Sequence, residues 1–227
     1  MRKGQRHIIT IDGPAGAGKS TISRLLARHL GYLYLDTGAM YRAVALAARR
    51  RGLNESDTSA IVKLANSVSL RFIGDPEDPK ILLWDKDVSR EIRTPEMDML
   101  SSSVSKIPEV RQALVGIQRQ MGLSHDLVAE GRDMGTVVFP HARDKFFLTA
   151  STEVRARRRY KERRERGEEI SLDSVITEIE SRDLQDSSRA VAPLRPSPEA
   201  IVIDTSEMDI GEVLEVILME IRPREGE

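Results

Sequence analysis

Apolar residues near the start of the chain recur first at strand spacing and then at helix spacing. The β-branched run 7–12 is bounded by Gly-Pro and predicts a buried strand. Between Lys19 and Leu30 the apolar residues recur every three or four positions, which predicts a helix that ends at Gly31. A second strand over 32–35 and a second helix over about 39–51 follow. This order is typical of a parallel sheet whose strands are joined by right-handed crossovers.

The pattern changes in the middle of the chain. After a helix predicted over 57–66, apolar and polar residues alternate over 68–73. The apolar run 80–84 then meets Val88 across a predicted turn, Asp85-Lys86-Asp87. Together these segments predict a small antiparallel sheet, over about 67–89, in a lobe that is inserted into the main fold.

The alternation of helices and strands returns in the second half of the chain, so the main sheet is expected to continue there. The predicted elements are helices over 95–105 and 108–122, strands over 126–129, 145–148 and 200–203, and helices over 152–166, 172–184 and 210–221. Residues 222–227 are expected to form a frayed tail.

Composition narrows the class of protein. Aromatic residues make up only 4% of the chain, so the core must be mostly aliphatic, and the net charge of −1 gives no overall attraction to nucleic acid or membrane. The absence of cysteine excludes disulfides, thiolate catalysis and cysteine-based metal sites. The apolar run at the start is too short for a signal peptide, and no run of about 18 apolar residues occurs, so we expect a cytoplasmic protein.

The turn between the first strand and the first helix carries the strongest chemical signal. Its sequence, Gly13-Pro14-Ala15-Gly16-Ala17-Gly18-Lys19-Ser20, fits G-x-x-x-x-G-K-[ST] in the required strand-turn-helix context. Glycines let backbone N–H groups surround phosphate oxygens, and the helix N-terminus favours negative charge. Lys19 is expected on the β- and γ-phosphates of ATP, Ser20 on the accompanying Mg²⁺, and Thr21 beside them. The motif predicts the phosphoryl donor and leaves the acceptor unidentified.

Residues 155–166 contain eight basic residues on one predicted helix. Three interpretations are open: a solvated helix face, a nucleic-acid patch, or a lid whose arginines close over the transferring phosphoryl group. The phosphate-binding turn favours the lid, because phosphoryl transfer depends on positioning and charge neutralisation. Arg157 is the predicted ATP contact, with the region of Arg163 and Arg166 as a further candidate.

A second charged cluster lies on the next predicted helix. Arg182, Asp186 and Arg189 are spaced by four and three residues, which places them on one helical face. One interpretation is a surface ion pair. The other is a clamp in which the arginines hold a phosphate and Asp186 holds a ribose hydroxyl.

Two further polar segments follow predicted strands. The segment 36–42 follows the second strand, and Glu130-Gly131-Arg132-Asp133 follows the third strand of the main sheet. Ligands bind at the carboxyl ends of parallel strands. Several such segments beside a phosphate-binding turn predict a second, anionic substrate.

Five segments together carry a resemblance to a known family. They are 10–20, Asp36-Thr37-Gly38-Ala39-Met40-Tyr41-Arg42, Glu91-Ile92-Arg93-Thr94, the run 130–140 and the run 188–194. Over about 8–217 the chain resembles the bacterial cytidylate kinases, within the nucleoside monophosphate kinase family. The run Gly131–Pro140 and the later Arg-Ala-Val-Ala-Pro-Leu are more diagnostic of this subgroup than the phosphate-binding turn.

The resemblance implies an α/β fold of the P-loop NTPase type. It implies a parallel five-stranded sheet flanked by helices, an inserted monophosphate-binding lobe with a small antiparallel sheet, and a helical arginine-rich lid. The predicted division of a single kinase unit over 1–227 is a core over 1–38, 123–151 and 190–227, a monophosphate-binding lobe over 39–122, a lid over 152–170 and a helix with substrate contacts over 171–189.

The resemblance also implies the activity, which is Mg²⁺-dependent transfer of the γ-phosphoryl group of ATP to CMP or dCMP. We expect a monomer that acts on these small molecules and has no nucleic-acid or membrane partner. Lys19, Arg132 and Arg182 are the expected catalytic residues. The expected CMP contacts are Thr37, Tyr41, Arg42, Ser102, Arg111, Glu130, Arg132, Asp133, Arg182, Asp186 and Arg189.

The roles of these residues are carried over by position. The acceptor phosphate is assigned to Arg42, Arg132 and Arg182, the pentose to Asp186 with Arg182, and the cytosine edge to Ser102, Arg111 and Asp133. Arg189 is assigned either to the base or to the phosphate. No general base is expected, because the acceptor phosphate oxygen is already a nucleophile.

Two residues depart from the pattern of the family. Glu130 stands where an aspartate is frequent, and Thr37 stands where a serine is frequent; both keep the chemistry and change the reach or bulk of the side chain.

Two alternative functions stay open. One is a monophosphate kinase for UMP or AMP, and the other is a nucleic-acid-dependent ATPase that uses the basic helix as its binding patch.

Overall fold

The structure is a computed structural model that describes residues 6–189 and 191–221. Its strands are β1 (Ile8–Asp12), β2 (Leu33–Asp36), β3 (Leu70–Ile73), β4 (Lys80–Leu83), β5 (Lys86–Asp87), β6 (Leu127–Gly131), β7 (Asp144–Thr149) and β8 (Ile201–Asp204). Its helices are α1 (Lys19–Leu30), α2 (Thr37–Arg50), α3 (Thr58–Ser67), α4 (Pro95–Val104), α5 (Pro108–Ser124), α6 (Thr152–Glu165), α7 (Leu172–Ser187) and α8 (Ile210–Glu220). The predicted tail, 222–227, lies outside the described residues.

The predicted five-stranded parallel sheet is confirmed. Its strand order is β2-β6-β1-β7-β8, and β7 pairs in parallel with β1 on one side and β8 on the other. Its central strands are apolar and buried: Ile9 and Ile11 are fully buried in β1, and β7 contributes the buried Phe146 and Phe147. Strands that are covered on both faces need such continuous apolar runs, which explains why a chain with few aromatic residues can build this core.

The small antiparallel sheet is also confirmed, with the order β3-β4-β5. The predicted turn Asp85-Lys86-Asp87 is wrong. The turn consists of Trp84 and Asp85, which have φ angles of 47° and 64°, so Lys86 already belongs to β5. A two-residue turn with both residues left-handed matches the twist of the paired strands, whereas the three-residue turn would lose the pairing of Lys86 with Leu83.

Helix and strand ends differ from the predictions by a few residues, and two of these differences move site residues. The Asp36 side chain accepts a hydrogen bond from Ala39 N at 2.8 Å, so α2 starts at Thr37 rather than at Ala39. Strand β6 continues to Gly131, so Glu130 lies within the strand rather than after it.

The described chain forms two compact units. Residues 27–129, with Arg6, form the first unit, and residues 7–26 with the described part of 130–221 form the second unit. The division into core, lobe and lid that the sequence suggests stays a prediction. Among the described residues, no helix combines the length and the apolar character needed to cross a membrane.

Candidate functional site

The phosphate-binding turn of the second unit has the backbone geometry that its glycines allow. Gly13 has a φ of 146°, and a Cβ there would lie 2.0 Å from the carbonyl oxygen of Leu148 in β7. Gly16 has a φ of 79°, and a Cβ there would lie 2.9 Å from the Cβ of Arg155. Both positions therefore require glycine, because a side chain would meet a neighbouring element as well as an unfavourable φ.

The Lys19 ammonium group is buried at this turn, where it donates a hydrogen bond to the Pro14 carbonyl oxygen at 2.7 Å. The pKa of Lys19 is lowered to about 7, with burial as the largest cause; the nearby cations Arg132 and Arg182 also act to lower it, while Glu130 and Asp12 act to raise it. The lysine thus lies in a positive field that three cations share. A bound polyphosphate would relieve the repulsion between these cations.

Ser20 and Glu130 lie side by side, one at the start of α1 and the other in β6. The Ser20 hydroxyl donates a hydrogen bond to a carboxylate oxygen of Glu130 at 3.0 Å, and Glu130 is only 4% exposed. The pair presents a hydroxyl and a carboxylate at the edge of the phosphate-binding turn. Both are oxygen ligands of the kind that Mg²⁺ prefers.

Asp186 joins Arg132 to Arg189. It accepts a hydrogen bond from Arg132 Nε at 2.9 Å and pairs with the Arg189 guanidinium. Burial acts to raise the pKa of Asp186, but Arg132 and Arg189 outweigh it and hold the pKa below its ordinary value. Because α7 ends at Ser187, Arg189 lies beyond the helix, so the prediction that it shares a helical face with Arg182 and Asp186 is wrong. The ion pair nevertheless forms because the chain continues past the helix end beside Asp186.

Asp133 lies in a turn that is tied to β1. It precedes a π-helical turn, Met134–Val138, which the sequence did not predict. The Asp12 carboxylate accepts hydrogen bonds from the backbone N–H groups of Met134 at 2.9 Å and Gly135 at 2.8 Å. Asp133 is 5% exposed, so its carboxyl belongs to a buried polar turn.

Helix α6 brings Arg155, not Arg157, to the phosphate-binding turn. Arg155 is 4% exposed and donates hydrogen bonds to the carbonyl oxygens of Ala150 at 2.9 Å and Ala15 at 3.2 Å. It also pairs with the Asp183 carboxylate at 2.7 Å. Arg157 is exposed, so its assignment to ATP stays a prediction without a contact to support it.

The further lid candidates are engaged with carboxylates in this structure. Arg163 pairs with Glu168 and Glu178, each at 2.7 Å, and Arg166 pairs with Glu162. The exposed Arg166–Glu162 pair fits the solvated-face interpretation, and a pair of this kind contributes about 0–1 kcal/mol to stability. Arg163 does not fit it, because its side chain is only 12% exposed and that of its partner Glu168 only 20%.

The first unit holds the other predicted acceptor residues around the start of α2. Arg42 donates a hydrogen bond to Asp36 at 3.2 Å and lies 3.8 Å from a carboxylate oxygen of Asp98. Thr37 is 3% exposed at the first position of the helix. The side chain of Arg42 is 19% exposed, which leaves part of the guanidinium accessible to an anion.

Arg111 and Tyr41 contact each other in the same unit. The Arg111 guanidinium lies 5.7 Å from the centre of the Tyr41 ring, and Arg111 is only 6% exposed. Stacking on an aromatic face fixes the guanidinium plane, which favours directional hydrogen bonds. Ser102 is half-buried on α4, and its carbonyl oxygen accepts a hydrogen bond from the Ser105 hydroxyl at 2.8 Å.

The model of the cytidylate kinase family matches residues 9–223 of the chain. The chain belongs to the cytidylate kinase family. The match spans both units and includes every candidate site residue.

Individual relatives in the family support the assignment. A cytidylate kinase of Syntrophotalea carbinolica is 50% identical over 218 residues, which cover 96% of this chain and 93% of the relative. A cytidylate kinase of Methylococcus capsulatus is 51% identical over 211 residues, which cover 93% and 95% of the two chains. The chain is an enzyme of this phosphotransferase family.

One solved structure bears on the fold alone. The crystal structure of an uncharacterized protein from Eubacterium ventriosum aligns with a TM-score of 0.52 and 10% sequence identity, covering 94% of this chain and 97% of that one. The likeness supports the arrangement of elements and says nothing about substrate.

Sequence reasoning missed two residues of the site, Arg155 and Asp12. Arg155 was one of eight cations on its helix, and no periodicity distinguishes the buried one from the others. Asp12 lies directly before the phosphate-binding turn, and a buried carboxylate next to a glycine-rich loop is a signal that could have identified it.

We expect Arg155→Met to raise the KM for ATP by about tenfold, because the variant loses the contact with Ala15 and leaves Asp183 without its cation. Steady-state kinetics with varied ATP measure the effect. Arg164→Met on the same helix is the matched control, since Arg164 is exposed and donates to the Glu168 carbonyl oxygen rather than to the phosphate-binding turn. An equal rise for Arg164→Met would contradict this role, and a larger rise for Arg157→Met would favour the sequence-based assignment.

Proposed function

We propose that the chain transfers the γ-phosphoryl group of ATP to CMP and dCMP, giving ADP with CDP or dCDP. One observation carries the proposal: the lysine of the phosphate-binding turn lies in the field of Arg132 and Arg182, two of the residues expected on the acceptor phosphate. Donor and acceptor phosphates would therefore meet in one positive field. Membership of the cytidylate kinase family supports the identity of the acceptor.

The acceptor phosphate would be bound by Arg132 and Arg182, and Arg42 is a further predicted contact to it. Asp186 would accept a hydrogen bond from a pentose hydroxyl. The low pKa of Asp186 keeps it ionised at neutral pH, which suits an acceptor of hydroxyl hydrogens. The ion pairs that Asp186 makes with Arg132 and Arg189 hold it in place.

Cytosine would be selected by hydrogen bonds to its Watson–Crick edge. The base offers an exocyclic amine beside the N3 and O2 acceptors, so Asp133 and Ser102 could accept from the amine while Arg111 donates to the acceptors. Uracil has a carbonyl in place of the amine and would face the Asp133 carboxylate with a second acceptor. An unpaired buried polar group costs about 1–3 kcal/mol, enough for tenfold discrimination or more.

Magnesium would be held mainly by the nucleotide. No group of three or more His, Asp or Glu side chains that could hold a metal ion is found within residues 6–189 and 191–221. The Ser20 hydroxyl and the Glu130 carboxylate fit an ion that keeps waters and phosphate oxygens as its other ligands. When bound, the ion would neutralise charge on the β- and γ-phosphates.

The residues would act by positioning and by charge neutralisation. The phosphate-binding turn would hold the β- and γ-phosphates, and Lys19, Arg132 and Arg182 would neutralise the charge that spreads over the transferring group. Helix α6 would serve as a lid that excludes water. We further propose that the enzyme works as a cytoplasmic monomer.

The test compares ADP release at one ATP concentration with CMP, dCMP, UMP and AMP as acceptors. We expect CMP and dCMP to exceed UMP and AMP in kcat/KM by at least tenfold, because only cytosine matches the donors and acceptors described above. Asp133→Ala should reduce this preference, whereas Arg42→Ala should lower kcat/KM for every acceptor alike.

Two results would overturn the proposal. A higher kcat/KM for UMP or AMP than for CMP would assign the enzyme to another base. ATP hydrolysis that polynucleotides stimulate, with no response to CMP, would favour the nucleic-acid-dependent ATPase. Equal losses on all acceptors in Asp133→Ala would contradict the role of Asp133 in base selection and leave the phosphotransfer itself in place.

A further inference from the structure

Asp12 is the last residue of β1 and directly precedes the phosphate-binding turn. It is 4% exposed, and its two carboxylate oxygens accept one backbone hydrogen bond each, from Met134 N at 2.9 Å and from Gly135 N at 2.8 Å. A carboxylate is the side chain that offers two acceptors to two parallel N–H donors. Asp12 therefore fixes the first two backbone N–H groups of the π-helical turn.

The turn that Asp12 holds is the one that carries Asp133. Asp133 is the residue immediately before it, and the N–H groups of Val137 and Val138 donate back to the Asp133 carbonyl oxygen at 2.9 and 3.1 Å. There is little space for the turn to shift, because a Cβ on Gly135 would lie 3.0 Å from the Thr10 hydroxyl. The backbone of Asp133 is thus set by a hydrogen-bonded and closely packed connection to β1.

We propose that Asp12 is a positioning residue for base selection, which acts by holding the π-helical turn so that Asp133 faces the base of the acceptor. The inference rests on the proposed function, in which Asp133 reads the exocyclic amine of cytosine. Asp12 itself touches no substrate in this scheme. Its loss should therefore change the preference between bases more than the transfer of phosphate.

The protonation state of Asp12 offers an independent way to disturb the turn. Its pKa is raised to about 6, with burial as the largest cause, although the two N–H donors act to lower it. The charged groups that face it are Asp133, which acts in the same direction as burial, and Lys19 of α1, which opposes it. From β7, the aliphatic chain of Lys145 packs against Gly135, while its ammonium group binds Pro140, Ser197 and Glu199.

The sign of the pH effect follows from the two hydrogen bonds. Above pH 6 the carboxylate accepts from both N–H groups. Below pH 6 one oxygen carries a proton and cannot accept from the N–H that faces it, so the turn loosens. The preference for CMP over UMP should therefore be greatest near pH 7.5 and should decline as the pH falls through about 6.

The experiment measures the ratio of kcat/KM for CMP to that for UMP, at pH 7.5 and at pH 5.5. The two acceptors carry the same phosphate, so its own ionisation cancels in the ratio. A turn that loses one hydrogen bond should lower the ratio by about tenfold, the cost of one unpaired buried group. Because about a quarter of Asp12 stays ionised at pH 5.5 when its pKa is about 6, we expect the wild-type ratio to fall by about threefold between the two pH values. Asp12→Asn should have the fully lowered ratio at both pH values, because its amide can accept from one N–H only.

Asp144→Asn is the matched control. Asp144 is 3% exposed in the same unit and pairs with His7 at 2.6 Å, so its replacement removes a buried carboxylate away from the π-helical turn. We expect this variant to keep the wild-type ratio and its dependence on pH. A similar loss in Asp144→Asn would mean that general destabilisation lowers the ratio, and would overturn the role of Asp12.

Three further outcomes would overturn the inference about Asp12. A wild-type ratio that stays constant from pH 7.5 to 5.5 would contradict the inference even if Asp12→Asn failed to fold. So would an Asp12→Asn enzyme that loses CMP and UMP activity equally, because Asp12 would then support the phosphate-binding turn alone. A wild-type enzyme with no preference for CMP at pH 7.5 would instead overturn the proposed function, and the inference with it.

Discussion

Replacement of Lys19 by methionine should lower kcat by about 10²–10³-fold. This is the usual loss when one preorganised hydrogen-bond donor that stabilises charge in the transition state is removed. The ammonium group is buried and lies close to Arg132, Arg182 and Glu130, so solvent cannot replace it. Methionine keeps the length and apolar character of the side chain. Single-turnover phosphoryl transfer with saturating ATP and CMP measures the loss directly.

Binding measurements separate this effect from unfolding. Lys19→Met should still bind CMP with nearly the wild-type Kd, since Arg132 and Asp186 remain paired. Lys63→Met, an exposed replacement on α3, should be fully active. A loss in kcat below about fivefold, in a variant that binds both substrates, would show that the lysine is not required for transfer and would exclude the electrostatic role.

Features that depend on residues close to one another in the sequence could be predicted from it. The phosphate-binding turn needs glycines where φ is positive or a neighbour is close, and Gly13 and Gly16 meet that need within one short motif. The strands of the main sheet are recognisable because each is a short buried apolar run between turn signals. Their ends were less certain, because a cap such as Asp36 decides the boundary and its hydrogen bond cannot be read from periodicity.

Features that depend on distant contacts could not be predicted. Arg155 and Arg157 are two residues apart on one helix, and only the position of Ala15 and Asp183 makes the first of them buried. The π-helical turn after Asp133 depends on Asp12, which lies more than a hundred residues earlier. Local propensity carries no information about such pairs. Residue spacing and strand ends pointed to the segments 36–42, 130–133 and 182–189, whereas Ser102 and Arg111 were predicted only through the family resemblance.

Arg132→Met should lower kcat/KM for CMP by about 10²–10³-fold while the Kd for ATP stays within about threefold of wild type. Arg132 is the cation that pairs with Asp186 at 2.9 Å and also contributes to the field at Lys19. Its removal would take a positive charge from the proposed phosphate site and leave the buried Asp186 carboxylate with one paired cation fewer. The variant should therefore lose stability as well as activity.

The two losses can be separated by a second substitution. In the wild type the pKa of Asp186 is lower in the folded protein than in the unfolded chain, so this group adds stability above its unfolded pKa and loses it as the pH falls through the folded value. Without Arg132 the folded pKa rises, although Arg189 and Arg182 still act to lower it, so part of that stability is lost at neutral pH. The double variant Arg132→Met/Asp186→Asn should regain part of the Tm, because the buried carboxylate that lost one of its two paired cations is gone, yet remain as inactive as Arg132→Met. Recovery of activity together with Tm would mean that Arg132 serves the fold and not the acceptor phosphate.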